Sequence, residues 1–210
     1  MAEGHQPSLF ETLGGDEPEL LVSQDGDVRL YRQWFDSVQA DDYFRRLHAE
    51  LAWQQTIIRM HGRKVPVPRL DVWYGDPGHR YRYSGVDFDA LPWTPTLAEI
   101  KHSLEARLGH RFNSVLANLY RDGRDSVAWH SDDEPELGAN PVIASVSLGA
   151  TRRFSLRHKA RAWPTVRQDL PNGSVLLMAG ATQHHWQHQL AKTARTVGPR
   201  INLTFRSVFQ

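Results

Sequence analysis

The polar and apolar positions of this chain change their period along its length. From residue 112 onward they alternate in short runs punctuated by turn residues, the signature of strands with one buried face. Runs at 113–120, 127–132, 142–148, 153–157, 174–178, 186–190 and 201–209 fit strands, and Asn172-Gly173 is a turn signal. Before residue 112 two stretches keep helical spacing. The first, about 37–51, carries Val38, Phe44, Leu47 and Leu51, with turn and cap chemistry in Asp36-Ser37 and Asp41-Asp42. The second opens at Trp93-Thr94-Pro95, a Thr cap followed by Pro at the first helical position. It carries the core stripe Leu97, Ile100, Leu104 and Leu108 and stops at Gly109. Residues 28–35 alternate as a strand, and 56–74 read as two strands joined by a turn at Gly62. The pattern predicts a mainly β (α+β) chain with a β sandwich or jelly roll as its core.

Composition narrows the setting. At 210 residues, 40% hydrophobic and 23% charged, the chain fits one globular domain. It has no apolar run near 18 residues and opens with an acidic, polar segment. Secretion and membrane spanning are therefore not expected, and a cytoplasmic monomer is, with a nuclear location open to a eukaryotic chain. Residues 1–27 read as a flexible acidic tail anchored at Leu9-Phe10 and Leu20-Leu21-Val22. That leaves 28–210 as the domain, with 28–111 as an N-terminal extension and 112–210 as the strand-rich core. Seven of the 24 acids fall in residues 1–28, which hold no Lys or Arg, so the remainder is net +8 and mildly favours a polyanionic partner. Cysteine is absent, so a transition metal would have to sit on His and carboxylate ligands.

Candidate chemistry gathers in two places. In NLYRDGRDSVAWHSDDE, residues 118–134, His130 and Asp132 stand at i, i+2, which puts both on one face of a strand. A distant third histidine would complete the two-His-one-carboxylate face that leaves metal positions open. The run 183–206 supplies His184, His185 and His188; His184 and His188 share a parity, and periodicity does not choose between them. In the last strand Arg200, Asn202, Thr204 and Arg206 share one face and Ile201, Leu203 and Phe205 the other. Such a strand is either an edge with a solvated face or an inward face that desolvates two guanidiniums, costly unless an anion pairs with them. A small dicarboxylate beside a metal would satisfy both, and Asn118 and Tyr120 share a parity that could add neutral donors. The hairpin 56–74 carries Arg59, Arg63, Lys64 and Arg69 with Met60-His61 at its tip, read equally as a charge-blunted edge or as a phosphate contact. Tyr81 and Tyr83 share a face opposite Arg80 and Arg82, suited to base stacking or to half-buried packing.

Taken together, NLYRDGRDSVAWHSDDEPELG, IASVSLGATRRF, WQH and PRINLTFR, in this order, resemble the AlkB family of Fe(II)- and 2-oxoglutarate-dependent dioxygenases, which remove alkyl groups from nucleobases. The resemblance covers roughly residues 56–209 and implies a double-stranded β-helix (jelly roll) with flanking N-terminal helices and a nucleotide-recognition hairpin. It implies His130, Asp132 and His188 as iron ligands, the Trp-x-His pattern at Trp186 selecting His188. It implies Arg200 at the distal carboxylate of 2-oxoglutarate and Arg206 near the carboxylate at the metal, supported by Asn118, Tyr120, Asn202 and Thr204. For the target base it implies Tyr83 on one face and His130 toward the other, with Tyr81 and Glu134 at the edge and Met60-His61 on the probing hairpin. The activity implied is oxidative demethylation of 1-methyladenine and 3-methylcytosine type lesions in DNA, or also RNA, using Fe(II), 2-oxoglutarate and O2. Its rivals are an oxygenase of the same fold acting on a protein or small molecule, and a non-catalytic nucleic-acid-binding module.

Overall fold

Alternation becomes sheet through fifteen strands among the described residues. The computed structural model describes residues 17–60, 62–78, 80–83 and 86–209, with backbone alone at 59, 60, 80–83 and 86–89. In chain order the strands are β1 (Glu19–Val22), β2 (Asp27–Tyr31), β3 (Ile57–Met60), β4 (Arg63–Pro66), β5 (Leu70–Gly75), β6 (Arg80–Tyr83), β7 (Val86–Asp89) and β8 (Ser114–Tyr120). They continue with β9 (Val127–His130), β10 (Ile143–Gly149), β11 (Arg152–His158), β12 (Val166–Leu170), β13 (Ser174–Ala179), β14 (Trp186–Leu190) and β15 (Arg200–Arg206). Helices α1 (Ser37–Glu50) and α2 (Pro95–Leu108) precede β8, and the single turn α3 (Thr182–His185) precedes β14.

The strands form a seven-stranded sheet in the order β1-β2-β13-β10-β15-β8-β5 and a four-stranded sheet β12-β11-β14-β9, with two separate hairpins, β3-β4 and β6-β7. Every strand pair is antiparallel. Two helices cover one face of the large sheet: Leu47, Leu97, Ile100 and Leu104 are fully buried there against Val115, Ala117, Val146, Leu148, Ile201, Leu203 and Phe205. Burying each such side chain contributes about 1.5–3 kcal/mol. The opposite face meets the small sheet through Val28, Leu30, Ile143, Phe154, Leu156, Leu176, Met178 and Trp186. This two-sheet sandwich is the expected jelly roll.

Helix α2 forms where its signals stand. Thr94 Oγ1 accepts from Leu97 N–H, Pro95 takes the first turn, and Gly109 ends the helix at φ 63°. Three expectations change. The strand expected at 28–35 ends at Tyr31, because Trp34 and Phe35 turn inward, Phe35 N–H bonding Gly173 O at 3.0 Å and Trp34 Nε1 bonding Ser103 Oγ at 3.0 Å. Residues 56–74 hold three strands rather than two. Pro66 and Pro68 close the β3-β4 hairpin, and the buried β5 leaves it to pair with β8 in the large sheet. Strand β12, an edge strand of the small sheet, was not anticipated from Val-Arg-Gln-Asp-Leu. The anchor Leu20-Leu21-Val22 lies within β1, paired to β2.

Candidate metal centre and cosubstrate cavity

Between the sheets lies a cavity lined by Arg69, Leu116, Asn118, Tyr120, His130, Asp132, Ser145, Phe154, Met178, His188, Arg200, Asn202, Thr204 and Arg206. Its floor is the polar face of β15. All seven residues of β15 are buried because the strand is central in the large sheet, flanked by β10 and β8, and not at its edge. Period-2 geometry then aims Ile201, Leu203 and Phe205 at the helices and the four polar side chains at the cavity.

At one end His130 and His188 face each other across β9 and β14, ring centroids 4.3 Å apart. Candidate ligand atoms of His130, Asp132 and His188 all lie within 4.8 Å of one another. The His130 Nδ1 lies 2.8 Å from the Ala128 carbonyl, which can only accept, so Nδ1 carries the proton and the Nε2 lone pair is free. That Nε2 is 3.7 Å from Asp132 Oδ1. Asp132 accepts at Oδ2 from Arg206 Nη2 at 2.7 Å, and its backbone N–H is fixed by Gln183 Oε1 at 2.9 Å. Burial alone would raise the Asp132 carboxyl, but Arg206, with His188 and His130, holds it well below the usual carboxylate range. His188 is pushed down to about 3 by burial first and then by His130, so its ring is neutral at pH 7. Its Nδ1 is buried with no hydrogen-bond partner among the described residues. The neutral His188 ring with its unsatisfied nitrogen, the His130 ring beside it and one ionised carboxylate fit a divalent transition metal. The centre is more open on the His130 side, that side chain being 30% exposed against 4% for Asp132.

At the other end Arg200 is 2% exposed and has no carboxylate partner among the described residues. One Nη2 donates to Ser147 Oγ at 2.8 Å, while Nε is buried without a partner. Asn202 donates to Ser145 Oγ at 2.8 Å and Val146 O at 3.0 Å, and Thr204 Oγ1 donates to Asn202 Oδ1 at 3.3 Å. Asn118 accepts from Arg69 Nε at 2.7 Å, and Tyr120 stands directly opposite Arg200 in the β8-β15 pairing. A buried cation with no carboxylate partner among the described residues, in the same cavity as a metal-ligand triad, suits a small carboxylate.

All nine residues expected at the metal and cosubstrate therefore converge. His184 does not: it lies in α3, exposed, with Nε2 against the Ala139 carbonyl. Glu134 is half-buried, two residues beyond Asp132 at the start of a short 3-10 turn, Pro135–Leu137. Met60, Tyr81 and Tyr83 lie on β3 and β6 with side chains outside the described residues, and His61 is outside them altogether. Arg69, expected among the exposed basic residues of the hairpin, is instead buried in the cavity wall. Ser145, Ser147 and Gln183 were not anticipated. The two serines could have been found from their shared parity opposite Ala144, Val146 and Leu148; nothing local singles out Gln183.

A second trio, Asp25, His158 and His185, also brings its ligand-type atoms within 4.8 Å. Here the backbone N–H groups of Ala160 and Arg161 donate to His158 Nδ1, at 3.1 and 2.8 Å, so the ring proton sits on Nε2 and points at Asp25 Oδ2, 3.2 Å away. A nitrogen carrying a proton has no lone pair for a metal.

Comparison with known proteins agrees with this geometry. The model of the 2OG-Fe(II) oxygenase superfamily matches residues 27–206. Rat "Alpha-ketoglutarate-dependent dioxygenase alkB homolog 3" is 40% identical over 213 residues, covering 97% of this chain and 72% of the relative. Human "DNA oxidative demethylase ALKBH2" is 38% identical over 188 residues, covering 85% of this chain and 72% of the relative. A solved structure described as "The structure of OsALKBH1" shares the fold at TM-score 0.64 and 16% identity, covering 91% of this chain and all of that one. The chain belongs to the 2OG-Fe(II) oxygenase superfamily, enzymes that use Fe(II), 2-oxoglutarate and O2, and within it to the AlkB homologues.

Proposed function

We propose that the chain catalyses oxidative demethylation of N-alkylated nucleobases in DNA. The observation that carries the reading is the buried Arg200, with no carboxylate partner among the described residues, at one end of a cavity whose other end is His130, Asp132 and His188. The two human and rat relatives named above, a DNA oxidative demethylase and an alkB homolog, support the nucleobase as substrate. When iron and 2-oxoglutarate are bound, oxidation of the cosubstrate by O2 to succinate and CO2 drives hydroxylation of the N-methyl carbon, and the product loses formaldehyde.

In this reading the three ligands leave metal positions for cosubstrate and O2. Arg200 fixes the distal carboxylate, with Tyr120, Asn202 and Thr204 beside it. Arg206 keeps Asp132 ionised and would stand near the carboxylate that binds the metal, and Asn118, held by Arg69, lines the same wall. The more open side of the centre, past His130, leads into a groove between the β3-β4 hairpin and β9 lined by Ile58, Val65, Val67, Trp129 and Lys192. A base that enters there must leave its stack, so single-stranded or damaged sites are favoured. Tyr81, Tyr83, Glu134, Met60 and His61 are proposed to hold it. The test is iron-dependent release of formaldehyde and succinate from oligomers carrying 1-methyladenine or 3-methylcytosine, as DNA and as RNA. Formaldehyde from the DNA oligomers is the expected result; succinate without formaldehyde on all four would refute the nucleobase and leave the oxygenase.

A further inference from the structure

Arg152 opens β11, behind the cavity wall, and is 3% exposed with no carboxylate partner among the described residues. Its guanidinium donates to three backbone carbonyls: Nη1 to Asp122 O at 3.0 Å, and Nη2 to Asp125 O and Ala191 O, each at 2.9 Å. Those carbonyls belong to two loops, β8 to β9 and β14 to β15. The loops meet where Thr193 N–H donates to Gly123 O at 2.9 Å, and a Cβ on Gly123 would lie 2.5 Å from Thr193 O, so only glycine lets them approach.

Tyr120 ends β8 beside this junction. The Arg152 guanidinium is 5.9 Å from its ring centroid, and that of Arg200 is 5.4 Å from the same centroid. Two desolvated guanidiniums therefore share one ring, and neither makes an ion pair with a carboxylate among the described residues, although the charges of Asp125 and Asp122 act on Arg152 through space. Burial, opposed by Tyr120 and reinforced by Arg152, pushes Arg200 down to about 10. Tying carbonyls together needs donors, not charge. A second cation placed where it repels Arg200 is an unfavourable arrangement that an arriving anion reverses.

We infer that Arg152 is a positioning and specificity residue for the cosubstrate: it fixes Tyr120 and adds a second positive charge behind Arg200, biasing this end of the cavity toward a dicarboxylate 2-oxo acid. The inference rests on the role proposed for Arg200. Calorimetric titration of the full chain, loaded with Mn(II) so that nothing turns over, measures it directly. The probes are 2-oxoglutarate and 2-oxopentanoate, which lacks the distal carboxylate.

In Arg152→Gln, affinity for 2-oxoglutarate falls about tenfold while that for 2-oxopentanoate stays within twofold. Arg152→Lys, which keeps the charge but not the fork of donors, stays within about threefold of wild type for both. Equal losses for both ligands, or a Lys variant that has lost the dicarboxylate preference, would mean a structural staple and overturn the inference. The Lys variant alone decides the matter should the Gln variant not fold. Arg200→Gln separates the two ideas. A preference unchanged there refutes the role of Arg200; a preference lost there but kept in Arg152→Gln refutes only that of Arg152.

Discussion

Two clusters in this fold look alike by distance and behave differently by hydrogen bonding. His130, Asp132 and His188, like Asp25, His158 and His185, gather two imidazoles and a carboxylate within 4.8 Å. What separates them is the partner of one ring nitrogen. A carbonyl at Nδ1 of His130 forces the proton onto that atom and frees Nε2 toward the cavity. Two backbone N–H groups at Nδ1 of His158 force the proton onto Nε2, where it ties down Asp25 instead. Around that pair Trp186 Nε1 donates to Gln24 O at 3.1 Å and Asp27 N–H to Thr182 Oγ1 at 2.9 Å. The second cluster is thus a clasp holding the β1-β2 turn onto the small sheet. Proximity of ligand-type side chains does not make a metal site; the tautomer that the backbone imposes does.

The sharpest way to break the comparison is to remove one ligand-type side chain from each cluster. Asp132→Ala is expected to lower Fe(II) affinity and succinate formation by more than about 100-fold, since loss of even an outer partner of a ligand costs 10–100-fold. The matching change at the clasp, His185→Ala, should leave both within about twofold. Metal titration followed by tryptophan fluorescence checks the pair, and equal losses would erase the distinction. A smaller effect follows from charge. Arg206 and Asp132 are 5% and 3% exposed, so Arg206→Met leaves a buried carboxylate uncompensated and should destabilise the metal-free protein by about 3–5 kcal/mol in urea unfolding. Added Mn(II), which binds the same carboxylate, should restore part of that loss.

Acid sharpens the comparison further. His188 has a folded pKa of about 3 against about 6.5 in the unfolded chain, so below pH 6.5 the unfolded state binds the extra proton. Its stabilising contribution is complete above about pH 6.5 and is lost as pH falls toward 3. Asp132, also depressed, loses its own contribution below the usual carboxylate pKa. The metal-free protein should therefore lose stability on acidification through this window, by at most about 1.4 kcal/mol per pH unit for one proton. His188→Asn should flatten the slope measured by urea unfolding at pH 7, 5.5 and 4.5. An unchanged slope would show that His188 is not held neutral.

Much of this was legible in the chain, for physical reasons that differ by element. Helix α2 was readable because Thr94, Pro95 and Gly109 act locally, whatever surrounds them. The alternation of β15 was equally plain, but its direction was not. An edge strand with a solvated Arg-Asn-Thr-Arg face has the same pattern, and only pairing to both β10 and β8 turns that face inward. Register also decides between His184 and His188, which periodicity leaves equal and the family pattern resolves: the β9-β14 pairing sets His188 opposite His130. Strand β12 escaped notice because an edge strand with exposed Arg167 and Asp169 needs no apolar alternation. Arg152 escaped because nothing in Arg152-Arg153 says which guanidinium is buried; Arg153 is exposed and paired to Asp169 at 2.8 Å.

The clasp itself predicts the smallest effect and the most telling one. Asp25→Asn keeps an oxygen that can accept from His158 Nε2, removing the charge but not the hydrogen bond. Asp25 is exposed, so solvent already screens most of its electrostatic contribution. The change should therefore cost less than about 1 kcal/mol, within the range of one ordinary hydrogen bond. Asp25 also occupies a left-handed backbone position, φ 52°, which Asn tolerates at least as well as Asp, so no strain is added. Hydrogen exchange at the β1-β2 amides, with Fe(II) affinity measured on the same sample, checks both halves. A clasp gives slightly faster exchange at β1 and β2 with unaltered iron binding; a second metal site would instead lose one equivalent of bound metal while exchange stayed the same.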